Sequence, residues 1–319
     1  MGEIIDPELE AEIDALKDVY AESIKAMQDA VQRARNIMAN QQTTGATDLR
    51  LFQEVLSAEV VKALQSSLRD VSNSTLSQVL RDAKRAIENL PAGISIKPTF
   101  DAKDPRAIVW AENHAGTLIK QIETEALLAV RRIVSETLLR GGGVLGASSR
   151  IARVIGLHDR WQTAVDNYYL REFETEFLRT GDATIAEEFA NRVAGDYKDK
   201  LIATRATVIA RTEVIAAQNI GQIISWYQLA DQGYLDLSRA YKEWVVGPSG
   251  WRGVEVCEVC LELGTMPPVP LNSVFTNGDI APPAHPNCRC TLNLIPLAED
   301  EDIWTDLARG ETTDATEVG

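Results

Sequence analysis

Residues 201–230, LIATRATVIARTEVIAAQNIGQIISWYQLA, decide the fold class of this 319-residue chain. Apolar side chains recur in this stretch at steps of three and four residues or multiples of them, which places them on one face of an α-helix. The face consists of Ile202, Ala206, Ile209, Ala217, Ile220 and Ile224. The pattern predicts a long helix from about Asp196 to Gln232, with Gly233 as the residue that ends it.

An acidic side chain interrupts this apolar face. Glu213 falls among the apolar residues, where a carboxylate is costly unless it is paired or hydrogen-bonded. We expect Glu213 to dock the helix onto the cysteine-rich segment that follows, with Arg289 or nearby backbone N–H groups as donors. Arg211 lies on a different face and is available to another segment. The alternative is that Glu213 lies at the edge of the stripe and reaches water.

The same periodicity extends upstream and predicts a mainly α chain. Predicted helices cover residues 9–38, 52–71, 76–90, 104–138, 150–155, 164–177 and 184–193, separated by Gly, Pro and small polar residues. Asp104 and Pro105 form a typical helix start, and the three glycines 141–143 end that helix. A linker is expected at residues 91–104.

Downstream of Gly233 the sequence changes character and carries all four cysteines. Pro and Gly become frequent, and β-branched and aromatic residues alternate over 241–246, which predicts a small loop-and-strand module. Cys257 and Cys260 have the spacing that presents two sulfurs to one ion. The segment HPNCRC then supplies His285, Cys288 and Cys290. These five residues predict a structural Zn²⁺ site.

Five candidate ligands compete for four tetrahedral positions. Two pairs with the same spacing favour Cys257, Cys260, His285 and Cys288, and the alternative is a four-thiolate site with His285 nearby. A redox dithiol normally opens a helix in a βαβ unit, which the sequence does not indicate. A catalytic zinc ion needs an open coordination position and a general base. Glu258 and Glu262 are more typical of exposed residues than of a base.

Charge argues against nucleic acid as the main partner. The net charge of -15 is concentrated at the ends, with -7 in residues 1–30 and -7 in residues 298–319. Binding to phosphates needs clustered Lys and Arg. The first residues are acidic and lack the apolar core of a secretory signal. The uncharged run from Val214 to Ala230 contains too many polar residues to span a bilayer unaided, so no membrane segment is expected.

With these motifs in place, the C-terminal half of the chain resembles the phage Mu F-like minor head proteins, the phage head morphogenesis family. The resemblance covers roughly residues 130–296. It is carried by residues 155–157, the 160–169 helix, the RATVIARTE segment 205–213 leading to Asn219 and Gly221, Lys242-x-Trp244, the Cys257–Cys260 pair, Gly278 and PPAHPNCRC at 282–290. One departure is GPSGWRG at 247–253, where the family usually has an Asp before the cysteine pair.

The resemblance implies a structural minor capsid protein rather than an enzyme. Expected partners are the portal protein, the major capsid protein or the scaffold protein, and packaged DNA. The expected location is the virion, in the capsid interior or at the portal vertex, and the host cytoplasm during assembly. A zinc-dependent hydrolase or a DNA-binding adaptor acting at genome entry is the alternative. We predict no catalytic residues.

The predicted architecture is an elongated helical body with a small C-terminal zinc-knuckle module. The expected parts are an N-terminal helical region 1–95, a helical head-morphogenesis body 96–235, a Cys/His metal-binding module 236–297 and an acidic tail 298–319. Arg211, Glu213, Asn219 and Arg289 are the residues expected to hold the module on its supporting helix.

Overall fold

The computed structural model of the chain describes residues 7–39, 46–88, 99–247 and 255–297. It is mainly helical, as the periodicity predicts. The helices are α1 (Pro7–Ala39), α2 (Ala46–Glu88), α3 (Pro105–Leu139), α4 (Val144–Val154), α5 (Asp159–Thr180), α6 (Ala183–Asp231) and α7 (Glu258–Gly264). The strands are β1 (Ala240–Val245), β2 (Val269–Pro270) and β3 (Thr291–Pro296).

Several helix ends lie where the sequence predicts them. Asp104 caps α3, because its Oδ1 accepts a hydrogen bond from Arg106 N at 2.9 Å. Gly181 (φ 70°) ends α5 in the left-handed conformation, and its N–H donates to Phe177 O at 2.8 Å. Gly233 (φ 78°) follows α6 in the same conformation. The predicted break at 41–45, most of the 91–104 linker and the acidic tail lie outside the described residues.

Two predicted helix breaks are wrong. α2 runs through the polar cluster at 72–75 without interruption, and α6 begins at Ala183 and continues past Gly195. The side chains of Val71 and Val79 are fully buried on either side of the polar cluster. Burying two such side chains outweighs the roughly 1 kcal/mol that a local capping preference contributes. A helical glycine likewise costs only about 1 kcal/mol.

The chain forms two compact units. Unit 1 comprises residues 1–74 and 112–210, and unit 2 comprises residues 75–111 and 211–319. The unit boundaries fall inside α2, α3 and α6, whereas the sequence placed domain boundaries after residues 95 and 235. Periodicity identifies helices but gives no sign of where along a continuous helix its packing partners change.

Unit 1 is built from helices with one buried face each. On α1 the predicted stripe is buried, from Leu16 through Tyr20, Ile24, Met27, Val31 and Ala34 to Met38. Gly156 follows α4 with φ 88°, and a Cβ there would lie 2.5 Å from Ile24 Cγ2. The Gly156 carbonyl accepts a hydrogen bond from Arg205 Nη1 at 2.8 Å. Glycine is therefore required for close packing at the centre of the 155–157 segment.

Unit 2 surrounds the C-terminal part of α6. Nearly every side chain from Glu213 to Leu229 is buried, so this part of the helix is enclosed on all sides rather than along one stripe. An antiparallel sheet of order β2-β1-β3 belongs to the same unit. Its register pairs Trp244 with Leu292 and Tyr241 with Ile295. The strand predicted from the alternation at 241–246 is thus confirmed as β1.

Gly221 lies at a close approach between α6 and α2. A Cβ at this position would lie 2.9 Å from Ala83 N, Asp82 Cβ and Val79 O. Two of these three neighbours are backbone atoms, which cannot move aside as a flexible side chain does. Glycine is therefore the residue that allows the two helices to pack at this distance.

We expect Gly221→Ala to destabilise unit 2 by about 1–3 kcal/mol, because the added methyl group overpacks the contact with α2. Gly195→Ala is the matched control on the same helix, where a Cβ meets nothing within 4 Å. That change should stabilise the chain by about 0.5–1 kcal/mol through helix propensity. Thermal unfolding of both variants measures the difference. Equal effects of the two substitutions would contradict the close contact at Gly221.

Among the described helices, none combines the length and the apolar character that crossing a membrane requires.

Candidate metal centre

The first two thiols are positioned by the start of α7. Cys257 is the N-cap residue, with extended backbone (φ -75°, ψ 156°), and its Sγ accepts a hydrogen bond from Cys260 N at 3.4 Å. The intervening turn therefore brings the Cys257 and Cys260 sulfurs to one end of the helix. Glu258 and Glu262 are exposed, as predicted.

A histidine faces both of these sulfurs. His285 Nε2 lies 3.1 Å from Cys257 Sγ and 3.2 Å from Cys260 Sγ. His285 Nδ1 lies 2.9 Å from Pro286 O. A proton on Nδ1 donated to that carbonyl leaves the Nε2 lone pair directed at the sulfurs, which is the arrangement of metal-binding histidines. Cys257, Cys260 and His285 form one candidate ligand triad.

The last two cysteines form a second triad with Cys260. The ligand atoms of Cys260, Cys288 and Cys290 lie within 4.8 Å of one another, and the Cys260 and Cys288 sulfurs are 3.7 Å apart. Sulfurs that are each about 2.3 Å from a tetrahedral zinc ion lie about 3.8 Å apart. All four cysteines are free thiols. The cluster of five residues could hold a metal ion, and Cys260 belongs to both triads.

The structure brings together all five residues that the sequence singled out. Their ligand atoms fall into two triads that share Cys260, one completed by Cys257 and His285 and the other by Cys288 and Cys290, rather than into one group of four. Cys288 and Cys290 do not lie in a strand, because β3 begins at Thr291. Asn287 adopts φ 62° instead, so a tight turn directs the two thiols inward.

Burial and proximity set the thiol chemistry of the cluster. Cys260, Cys288 and Cys290 are each at most 3% exposed. A hydrogen bond from Cys288 lowers the pKa of Cys290 to about 5, and the same contact raises the pKa of Cys288. Burial raises the pKa of Cys260 to about 12. Three buried sulfurs do not all ionise without a compensating cation, and a divalent metal ion would supply that charge.

Two side chains of α6 hold the HPNCRC loop. Thr212 Oγ1 accepts a hydrogen bond from Asn287 N at 3.1 Å. Asn219, which is fully buried, donates through Nδ2 to Cys290 O at 3.2 Å and to Ile215 O at 2.8 Å. The predicted support by α6 is therefore present at Asn219. Thr212 was missed, although it lies next to Glu213 in the same motif.

Glu213 is 3% exposed, so it does not reach water at the edge of the stripe. Its pairing with Arg289 stays a prediction, as does a docking role for Arg211, which is half-buried. His114 and His158 belong to the other unit and take no part in the cluster.

The candidate metal ligands share an apolar core with β1. Cys260, Cys288 and Cys290 belong to the same core cluster as Trp244, Phe275 and Leu263. Trp244 and Phe275 meet edge to face, with ring centroids 5.1 Å apart. A cavity of about 170 Å³ borders the ligands beside Gly247 and Glu255. Such a cavity gives an ion a path to the thiols.

Lys242 on β1 is a buried cation in the same unit. It is fully buried, and its Nζ donates to Leu271 O at 3.0 Å and lies 5.5 Å from the centroid of the Phe275 ring. Burial lowers its pKa from 10.5 to about 8. Between these pH values the unfolded chain holds the proton and the folded chain does not, so folding stability rises with pH through this window. Below it, the folded state carries a buried charge.

We expect Lys242→Met to be more stable than the parent chain at about pH 7 by roughly 1–3 kcal/mol, because it removes this buried charge. The advantage should shrink as the pH rises from about 8 to about 10. Urea unfolding over this pH range measures it, with Lys103→Met as the exposed control in the same unit. A variant less stable than the parent at pH 7 would show that the bond to Leu271 outweighs the cost of burial.

A redox dithiol is not favoured by this arrangement. Cys257-x-x-Cys260 does open a helix, but the sheet of the described module is antiparallel rather than part of a βαβ unit. The Cys260 sulfur has Cys288 and His285 as further close neighbours. A set of several ligands around one sulfur is typical of metal binding.

Comparison with known proteins was made for the whole chain. No protein-family model, curated protein or solved structure matches it.

Proposed function

We propose that the chain is a phage minor capsid protein of the head morphogenesis type, whose C-terminal module is held together by a structural zinc ion. The observation that carries the proposal is that the end of the 205–213 segment, Asn219 and the HPNCRC loop lie together in unit 2. The loop containing Asn287 and Cys290 is hydrogen-bonded to Thr212 and Asn219 of the IARTE helix. These motifs are thus parts of one site rather than separate coincidences, whereas the motifs at 155–157 and 160–169 belong to unit 1.

Zinc is the metal that best suits these donors. Four thiols and one imidazole are soft or borderline ligands, and the 3.7 Å separation of the Cys260 and Cys288 sulfurs suits tetrahedral coordination. Five candidate ligands for four coordination positions leave little room for a substrate on the metal, which supports a structural role over hydrolysis. The ion would stabilise a module whose described regular structure is one 3-10 turn, one short helix and three short strands.

In the proposed role, the chain acts during head assembly in the host cytoplasm and remains in the virion, inside the capsid or at the portal vertex. The portal protein, the major capsid protein or the scaffold protein is its partner, and packaged DNA is a further contact. The acidic ends suit basic surfaces on such partners.

Two experiments test the proposal. Mass spectrometry of protein purified under reducing conditions should find one zinc ion per chain, and Cys288→Ser should lose it. If the chain is co-expressed with the portal and major capsid proteins of a phage that encodes it, it should be found in purified heads at low copy number. Absence of stoichiometric zinc would overturn the metal assignment, and absence from the particles would overturn the capsid role.

A further inference from the structure

Unit 1 contains a cavity with an unusual concentration of arginine. It has a volume of about 320 Å³ and lies among the end of α3, α4 and α5. Its lining includes Arg132, Arg140, Arg150 and Arg153. Asp166 is the one carboxylate among the lining residues, so the lining carries a net charge of +3 in a chain whose overall charge is -15.

Two of the arginines are held in place by the protein. Arg150 binds Glu136 Oε2 at 2.5 Å and Asp166 Oδ2 at 3.2 Å. The Arg153 guanidinium lies 3.8 Å from the centroid of the Tyr169 ring and donates to Asn191 Oδ1 at 3.1 Å. Fixed guanidinium groups lose little side-chain entropy when a ligand binds.

The positive charge is only partly neutralised. Asp166 is shared, since Arg153 Nε lies 3.9 Å from its Oδ1 while Arg150 holds Oδ2. Arg132 Nη2 donates to the neutral amide oxygen of Gln162 at 2.6 Å, and its only ion pair in the described structure is with Asp159 at 3.7 Å, a carboxylate that is 87% exposed. Arg140 has no side-chain hydrogen bond or ion pair with any part of the chain that the structure describes. Such exposed or shared contacts are easily replaced by a stronger anion.

These observations point to one ligand chemistry. We propose that this arginine-lined cavity binds a ligand through a phosphate group, held by the guanidinium groups of Arg132, Arg140 and Arg153. Planar guanidinium forks match phosphate oxygens in two-point hydrogen bonds. The hydroxyl of Thr163 and the amide of Asn167 also line the cavity and offer neutral hydrogen bonds to the rest of the ligand.

The size of the cavity favours a phosphorylated small molecule. A volume of about 320 Å³ lies within the range of small-molecule sites and exceeds what one phosphate ion fills. A phosphate of a nucleic-acid backbone has the same chemistry, but strong binding of a long polyanion also needs clustered Lys and Arg outside the cavity. Comparing the binding of a mononucleotide with that of an oligonucleotide therefore distinguishes a phosphorylated small molecule from a nucleic-acid backbone.

Isothermal titration calorimetry on the full chain tests the proposal with four probes: inorganic phosphate, adenosine monophosphate, adenosine and a short single-stranded oligonucleotide. The expected result is that adenosine monophosphate binds and adenosine does not. Arg140→Gln should weaken that binding at least about tenfold, because it removes a charge-assisted hydrogen bond. Since Arg140 is exposed and makes no side-chain bond in the described structure, its replacement leaves the fold intact.

Arg171→Gln is the matched control. Arg171 lies on α5 outside the cavity, where it stacks over Tyr168 and contacts Glu172. Its substitution should leave the affinity unchanged. Binding of the oligonucleotide alone, lost in Arg140→Gln, assigns the cavity to a nucleic-acid backbone. No binding of any phosphate probe, equal binding of adenosine, or unchanged affinity in Arg140→Gln would overturn the proposal.

Discussion

Cys260→Ser is expected to abolish stoichiometric zinc binding and to unfold the C-terminal module. Cys260 belongs to both ligand triads, so it is required whichever of His285 and Cys290 completes the site. Its sulfur contacts His285 Nε2 at 3.2 Å and Cys288 Sγ at 3.7 Å. Since metal binding and folding are coupled in small metal modules, loss of the ion removes the folding free energy of the module. We expect a loss of more than about 4 kcal/mol.

Zinc content by mass spectrometry and hydrogen exchange over residues 240–297 measure this effect. Val259→Ser is the matched control, because it places the same new side chain in the same turn at an exposed position. That variant should keep its zinc ion and its protection from hydrogen exchange over residues 240–297. A Cys260→Ser protein that retained one zinc ion per chain, or lost the ion with no change in hydrogen exchange, would contradict a structural metal site.

The second large effect is expected at Trp244. Its side chain is 3% exposed, packs edge to face on Phe275 and belongs to the same core as three of the cysteines. Trp244→Ala should lower the free energy of unfolding of unit 2 by about 3–5 kcal/mol, because it removes a large apolar surface and leaves a cavity. The cavity adjoins the metal ligands, so zinc affinity should fall with stability.

Trp244→Phe is the control for this experiment. It keeps an aromatic ring against Phe275 and removes only part of the buried volume, so a loss of about 1–2 kcal/mol is expected. Chemical unfolding followed by the fluorescence of the remaining tryptophans measures both variants. If Trp244→Ala cost no more than Trp244→Phe, the packing between β1 and the metal cluster would be of little energetic importance.

Much of the helical fold could be predicted from residue spacing. Steps of three and four identify α1 and α6, and Asp104, Gly181 and Gly233 mark helix ends because their preferred local geometries do not depend on distant contacts. The continuity of α2 through residues 72–75 was not predictable in this way. Polar residues there favour a helix start locally, but buried neighbours on both sides favour continuation.

The candidate metal site, like the helical fold, was predictable only in part from the sequence. Cysteine and histidine spacing identified the five residues of the cluster, since few other arrangements place so many soft ligands within about thirty residues. The support by Thr212 and the burial of Glu213 could not be read from that spacing. Both depend on where the HPNCRC loop contacts α6. The residues that meet there are more than seventy positions apart in the sequence. The arginine-lined cavity depends likewise on three helices.

The sequence by itself determined that the chain is mainly helical, where most helices end and which side chains could hold a metal ion. These properties depend on near neighbours, through helical periodicity, terminal capping and ligand spacing. Only the tertiary structure decided that α6 is enclosed on all sides in unit 2, that Gly221 must be a glycine and that Thr212 holds the ligand loop. Those properties depend on which distant surfaces come into contact, and close packing fixes that choice for the whole unit at once.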